Sequence, residues 1–297
     1  MLAPIEEIFC HLDDFCKQAL IHMNYYLLPN PQRQRQKYCQ LCLSEIMTIM
    51  VLFHLSHYRT FKDYYRDCVV AHLKPYFPQL VSYNRFVELM PSAFLPLVVY
   101  LQYHKGEETG LYYVDSTDLP VCHNRRIFAH QTFKGIAERG KTSVDFFFGF
   151  KLHLVINQLG QLMSFCLTPG NVDDRKPLAW LFKGLTGTGA GDRGYISKEK
   201  AAALAEHDLN FITRVKRNMK PKLFSAFEKT VLGQRGLVEL VISQLKSFCQ
   251  IDHTRHRSPF NFLVNVLSGL VAYVLKPRKP YARFKNLPSN LMMLMPN

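Results

Sequence analysis

The chain has 297 residues, 48% of them hydrophobic and 13% aromatic, which places it among globular proteins with a sizeable core and leaves room for one large domain with an accessory one, or for two. Lys and Arg number 37 against 23 Asp and Glu, a net charge of +14, and an excess of that size favours a polyanionic partner because each cation that neutralises a phosphate releases counterions. Eight cysteines in mostly apolar surroundings read as reduced core thiols of a cytosolic protein rather than a disulfide framework, and the acidic start MLAPIEEIFCHLDD lacks the basic, apolar pattern of a signal peptide.

Along the chain, Ile5, Ile8, Phe9, Leu12, Phe15, Cys16 and Leu20 recur at helical spacing. A polar connector, LLPNPQRQRQKY, follows, and Cys39 and Cys42 beyond it form a single CxxC, weak evidence for metal or redox chemistry without a second pair. Leu43 to Leu55, Thr60 to Leu73 and the stretch from Ser82 to about Tyr103 are each compatible with a helix, so residues 1–105 read as an all-helical unit. Ser82 is a predicted N-cap that puts Asn84 and Arg85 in a first helical turn, where a helix-turn-helix presents base-contacting side chains; an ordinary capped helix fits the same residues.

The texture changes at Gly106. LYYVDST is a strand ending in a carboxylate, and DFFFGFKLHLVIN and QLMSFCLTPGN are two strands joined by a glycine-containing hairpin turn. A helix over 175–185, the short strand GTGAG, a helix in SKEKAAALAEH and the strand LNFITRV complete a mixed α/β sheet flanked by helices, followed by a basic stretch and a helical region to about Lys246. The sixteen residues from Phe260 to Leu275, apolar apart from two Asn and a Ser, fall short of a membrane span and predict a buried helix.

Asp192 sits between glycines and an arginine where GAG should end. Asp and Gly are common in turns, but Asp115 also closes a strand, and if the two strands are neighbours their carboxylates approach each other. Like charges that close need a cation, with a divalent metal the natural choice. A third acid, Glu239, lies in RGLVELVISQLK with Arg235 four residues before it and Lys246 seven after, all three on one helical face. A solvated charge stripe is the alternative, although Arg before Glu is the less favoured order for an i, i+4 pair.

Asp115, Asp192 and Glu239, with Arg235 and Lys246 around the last, resemble the catalytic signature of insertion-sequence DDE transposases, whose core is ribonuclease-H-like and retroviral-integrase-like. The ordered set YVDSTDLPVCHNRRI, FFGFKLHLVIN, LTPGNVDDRKP, GDRGYIS and QIDHTRHRSPFNFLVN is similar to stretches of the bacterial transposase family numbered nine-eighty-two, over about residues 40 to 280. One departure is Leu232, where the wider group carries a tyrosine three residues before the arginine.

The resemblance implies a catalytic domain over 106–285, a helical N-terminal DNA-binding domain over 1–105 and a tail over 286–297. It implies strand cleavage and strand transfer with two Mg²⁺ ions, Mn²⁺ substituting, held by Asp115, Asp192 and Glu239, Asp115 touching both ions. Arg235 and Lys246 would hold phosphates beside the cut, Lys246 alternatively pairing with an acid of the fold, and Asp174 would stand behind the triad or, with Asp173, simply cap a helix. Arg125 and Arg126 in VCHNRRI, Arg193, and Arg255 and Arg257 in DHTRHRSP are the further DNA-contact candidates, the alternatives being a solvated loop at the first pair, neutralisation of the acidic cluster at Arg193 and active-site packing in DHTRHRSP; His253 and His256 lack the partners of a zinc site. The implied partners are the terminal inverted repeats and target DNA, with a homodimer on paired ends, no membrane, and a cytoplasmic, nucleoid-associated location. Two other functions stay open: a metal-dependent nuclease, and a DNA-binding protein with an inactive catalytic site.

Overall fold

The computed structural model describes residues 4–26, 40–142, 145–215, 219, 221, 223–252 and 256–284, with side chains described for all of these except 20–26. The described residues form two compact units, one within Met1–His104 and Leu245–Pro277, the other within Lys105–Gln244 and Arg278–Asn297.

The first unit is helical. In α1 (Ile5–Tyr26) the buried side chains Ile8, Leu12, Phe15 and Cys16 share one stripe, and Glu6 and Glu7 sit at the positive end of the helix. That stripe packs on α2 (Leu43–Leu55), which is buried on nearly every side, as its almost unbroken apolar sequence requires. Cys42 precedes α2 and its N–H donates to Glu45 Oε2 at 2.7 Å; Cys39 lies outside the described residues. After Thr60, α3 (Phe61–Asp63) widens into a π-helical segment, Tyr64–Val70, which buries Tyr64, Tyr65 and Val69. Ser82 caps α4 (Tyr83–Leu89) as expected, its Oγ accepting from the Arg85 N–H at 3.3 Å. Pro91 then forces a 3₁₀ turn, Met90–Ala93, before α5 (Phe94–Tyr103). By length and composition Tyr83–Tyr103 passes for a membrane span, yet Phe86, Met90, Ala93, Leu97, Tyr100 and Leu101 are buried inside the unit, the pattern of a core element.

The second unit holds a six-stranded mixed sheet among the described residues: β1 (Leu111–Cys122), β2 (Glu138–Lys141), β3 (Phe146–Asn157), β4 (Leu162–Pro169), β5 (Gly187–Gly191) and β6 (Leu209–Thr213). β1 lies between β3, antiparallel, and β5, parallel; β6 continues parallel beyond β5. The outer edge of β3 is shared, β2 pairing with its first residues and β4 with the rest. The β3–β4 hairpin turns at Gly160, whose φ of 68° suits glycine, and Asn157 Oδ1 accepts from the Leu159 and Gln161 N–H groups at 3.0 and 2.9 Å. β2 has no counterpart among the expected strands, because ERGK carries no apolar alternation.

The helix expected over 175–185 is only one turn, α6 (Leu178–Leu181), because Arg175–Pro177 belong to a turn organised by Asp173. With α7 (Lys198–Ala205) it covers one face of the sheet through Leu178, Leu181, Phe182 and Leu204 packed on Tyr112, Val114, Val155 and Phe211. The glycines of β5 make room for that core. A Cβ on Gly189 would meet the rings of Phe182 and Phe211 at 3.0–3.1 Å, and one on Gly191 would meet Phe211 at 2.9 Å. The basic stretch leads to α8 (Ala226–Gly233), tied to the end of β6 by Arg214 Nη2 donating to the Leu232 carbonyl at 3.2 Å, and then to α9 (Gly236–Ser247).

α10 (Pro259–Val274) returns to the helical unit, packing on α2 and α5, and is buried as its composition predicts. Its residue Gly269 leaves space that a Cβ would lose to Ile251 at 2.3 Å. Beside it the buried His54 ring meets the Cys249 carbonyl at 2.5 Å, and burial pushes its pKa down to about 4.

Candidate functional site: an arginine among three carboxylates

The parallel register of β1 and β5 sets Leu111 opposite Thr188, Tyr112 opposite Gly189 and Tyr113 opposite Ala190. Two residues further along each chain stand Asp115 and Asp192, so the alignment of the strands brings these carboxylates alongside one another. Asp115 is not at the end of its strand, contrary to expectation. β1 runs on to Cys122 because β3 supplies a partner as far as Phe148; what ends beside Asp115 is β5. Asp192 leaves β5 as the N-cap of a 3₁₀ turn, Arg193–Tyr195, with its Oδ1 accepting from the Gly194 N–H. Gly194 permits that contact, since a Cβ there would lie 2.9 Å from the same oxygen.

Glu239 stands in the first turn of α9, and Arg235 just before the helix. The Arg235 Nη1 atom is 3.9 Å from Asp115 Oδ2 and 3.8 Å from Asp192 Oδ2, while Nη2 donates to Glu239 Oε1. The three acids chosen from the sequence therefore converge, and they converge on an arginine. Sequence spacing put Arg235 on the same helical face as Glu239 and gave no sign that its head would lie between all three acids.

Exposure is graded. The side chains of Asp115 and Arg235 are 20% and 21% exposed, those of Asp192 and Glu239 44% and 56%. Burial, with the neighbouring charges of Asp192 and Glu239 adding to it, raises the Asp115 pKa from 3.8 to about 6, against the lowering effects of the Ser116 N–H, which donates to Asp115 Oδ1 at 2.8 Å, and of Arg235. Arg235 Nη1 is itself buried with no hydrogen-bond partner. Among the described residues no group of three His, Cys, Asp or Glu side chains is gathered closely enough to hold a metal ion as it stands. The donor set nevertheless fits a hard divalent cation: three carboxylates, with neither thiol nor imidazole among them, and a mutual repulsion that a cation relieves.

A second polar group lies on the opposite face of the sheet from Asp115, carried by β3. Lys151 Nζ donates to Asp174 Oδ1 at 2.9 Å and to the Val172 carbonyl at 3.0 Å. The buried His153 meets Thr168 Oγ1 at 2.9 Å, and burial pushes its pKa down to about 4. Lys151 and His153 escaped the sequence reading, although polar residues at alternate positions of the apolar run FFGFKLHLVIN were a visible signal. Asp173 caps no helix; Arg175 binds both of its oxygens and holds its carboxyl well below the usual range.

The other candidates are dispersed. Arg125 and Arg126 are exposed on a 3₁₀ turn, Asn124–Ala129, and Arg193 is exposed next to Asp192. Asn84 and Arg85 are exposed in the first turn of α4, where Arg85 pairs with Glu88 at 2.8 Å and Asn84 lines a pocket of about 460 Å³ with Tyr65, Arg66 and Lys74. Arg257 is exposed just before α10, while His253 and Arg255 lie outside the described residues. Lys246 occupies the last turn of α9 and belongs to the helical unit. Leu232, at the position of the wider group's tyrosine, is buried.

Residues 105–259, just over half of the chain, match the family model described as a transposase DDE domain. No curated protein and no solved structure matches the chain.

Proposed function

The chain belongs to the transposase DDE domain family, and from that membership we propose that it cleaves DNA strands at the ends of an insertion sequence and joins them to target DNA, with Asp115, Asp192 and Glu239 as the acidic triad. The observation that carries this reading is the meeting of the three carboxylates around Arg235, from a mid-strand position, a strand end and a helix start that are remote in the chain. The order β4, β3, β1, β5, β6, antiparallel for the first three and parallel for the last three, is what supports a ribonuclease-H-like core. The ordered motifs from YVDSTDLPVCHNRRI to QIDHTRHRSPFNFLVN support the family numbered nine-eighty-two.

Asp115, Asp192 and Glu239 would hold the divalent ions, Mg²⁺ by the oxygen-only character of the set. Such ions supply an activated water or 3′-hydroxyl and neutralise charge on the leaving oxygen. The chain's own contribution is positional. Asp115, fixed by the Ser116 N–H, is the inner anchor; Asp192 and Glu239, more exposed, face the incoming strand. Arg235 would take a phosphate beside the cut and Arg125, Arg126 and Arg193 would track the backbone, while Lys246 and Arg257 of the helical unit are further candidates for phosphate contact, in keeping with the charge of +14. A homodimer on paired ends follows from the same reading.

The test is strand cleavage and joining on a terminal inverted repeat with Mg²⁺, comparing wild type with Asp192→Asn. Joining by the wild type alone supports the proposal. Cleavage without joining would favour a nuclease, and end-binding without either reaction an inactive DNA-binding protein.

A further inference from the structure

We propose that Arg235 is a resident cation of the acidic site: in the metal-free protein its guanidinium holds Asp115, Asp192 and Glu239 together, and it yields that place when divalent ions bind. The inference rests on the transposase reading of the same residues and goes beyond it in giving Arg235 a position to vacate.

Geometry separates this contact from a permanent structural ion pair. Arginine pairs tightly with a carboxylate by laying its planar fork against both oxygens at about 2.7–2.9 Å. Toward Asp115 and Asp192, Arg235 does not do so; Nη1 stands 3.9 and 3.8 Å away, outside hydrogen-bond range, and is buried with no other partner. It therefore acts there as a charge between two charges. A divalent ion bound through the same oxygens brings twice the charge at about 2.0–2.1 Å, and two cations cannot share that space. Glu239, which accepts from Nη2, is the most exposed of the acids, so the displaced head would turn toward solvent on that side, where a phosphate backbone would run. Loading with metal and gripping DNA are then one motion of one side chain, because Arg235 is free for a phosphate only once the ion has taken its place.

The experiment is calorimetric titration of the full chain with Mn²⁺ in wild type, Arg235→Gln, Arg235→Lys and Asp192→Asn, with thermal unfolding in EDTA and in Mn²⁺. Competition predicts that Arg235→Gln binds Mn²⁺ about tenfold more tightly, within the usual range for coupled equilibria in proteins, that Arg235→Lys falls between, and that Asp192→Asn loses the site. Arg235→Gln should also melt lower than wild type in EDTA and gain more from Mn²⁺. If it is unfolded in EDTA, recovery of the folded signal on adding Mn²⁺ supports the proposal and failure to recover overturns it. Equal or weaker Mn²⁺ binding by folded Arg235→Gln overturns it as well. Should wild type bind Mn²⁺ through Asp192 while Arg235→Gln shows no tightening, the acidic metal site stands and the resident-cation role falls; if no variant binds Mn²⁺, both fall.

Discussion

Replacing Asp115 by Asn should remove activity and, in the absence of metal, make the protein more stable. The carboxyl is mostly buried between β3 and β5 with two other acids beside it, and its pKa rises from 3.8 to about 6. About two units at 1.36 kcal/mol each amount to a cost of about 3 kcal/mol for keeping Asp115 ionised in the folded state at neutral pH. Because the folded value lies above the unfolded one, the benefit of the proton is complete below about pH 4 and is lost as pH rises through 6. Asn keeps the shape and the contact with the Ser116 N–H without the charge; allowing for the partner that Arg235 loses, the expected gain is about 1–3 kcal/mol above pH 6, shrinking toward pH 4. Urea unfolding of both proteins in EDTA from pH 4 to 8 measures it. Mg²⁺ should then stabilise the wild type and leave the variant unchanged. An Asp115→Asn midpoint at or below the wild type at pH 7.5 would refute the reasoning, since the carboxylate would then be contributing stability rather than costing it.

Asp192→Asn and Glu239→Gln should each lower cleavage by roughly a hundredfold or more, beyond the range of changes that merely support a metal ligand, with binding to the terminal repeat retained in a gel-shift assay. Near-normal joining by either variant would remove that residue from the triad. His54 has a folded pKa of about 4 against 6.5 unfolded, so its contribution is present above pH 6.5 and is lost as pH falls through 4, by about 3 kcal/mol in all. His54→Gln should flatten the acid limb of the urea midpoint against pH, and parallel limbs would rule the histidine out. Gly191→Val should destabilise by about 1–3 kcal/mol or more and impair cleavage, because the new side chain, at the last residue of β5 and next to Asp192, meets Phe211, Val114 and Tyr195. Paired urea curves and cleavage rates test it, unchanged values telling against a packed β5.

Much of this was legible in the residues. Strong strand formers marked β1, β3 and β6, and the almost unbroken apolar run of α10 marked a buried helix. The meeting of the three acids was legible only in part: Asp192 follows a short glycine-rich strand and Glu239 lies on a helix face, but Asp115, read as closing its strand, stands in the middle of β1. Other features were not. β2 is too short and charged to carry a period, and helical spacing does not separate an α-helix from the π-helical Tyr64–Val70. The glycines before Asp192 read as turn residues; Gly189 and Gly191 leave room for phenylalanine rings, packing from distant elements that no local pattern records. The position of the Arg235 head likewise depends on how α9 meets β1 and β5, a tertiary fact.

The packing of α10 on α2 and α5 has a consequence for synthesis. The chain leaves the helical unit after His104 and re-enters it at Leu245, so on a ribosome the first five helices emerge well ahead of the one that closes their core. At about 5–20 residues per second that interval is roughly 10–30 s, during which the apolar sides of α2 and α5 wait uncovered while the sheet forms. Nascent chains halted before residue 259 should therefore engage chaperones through their amino-terminal helices, and full-length chains should release them.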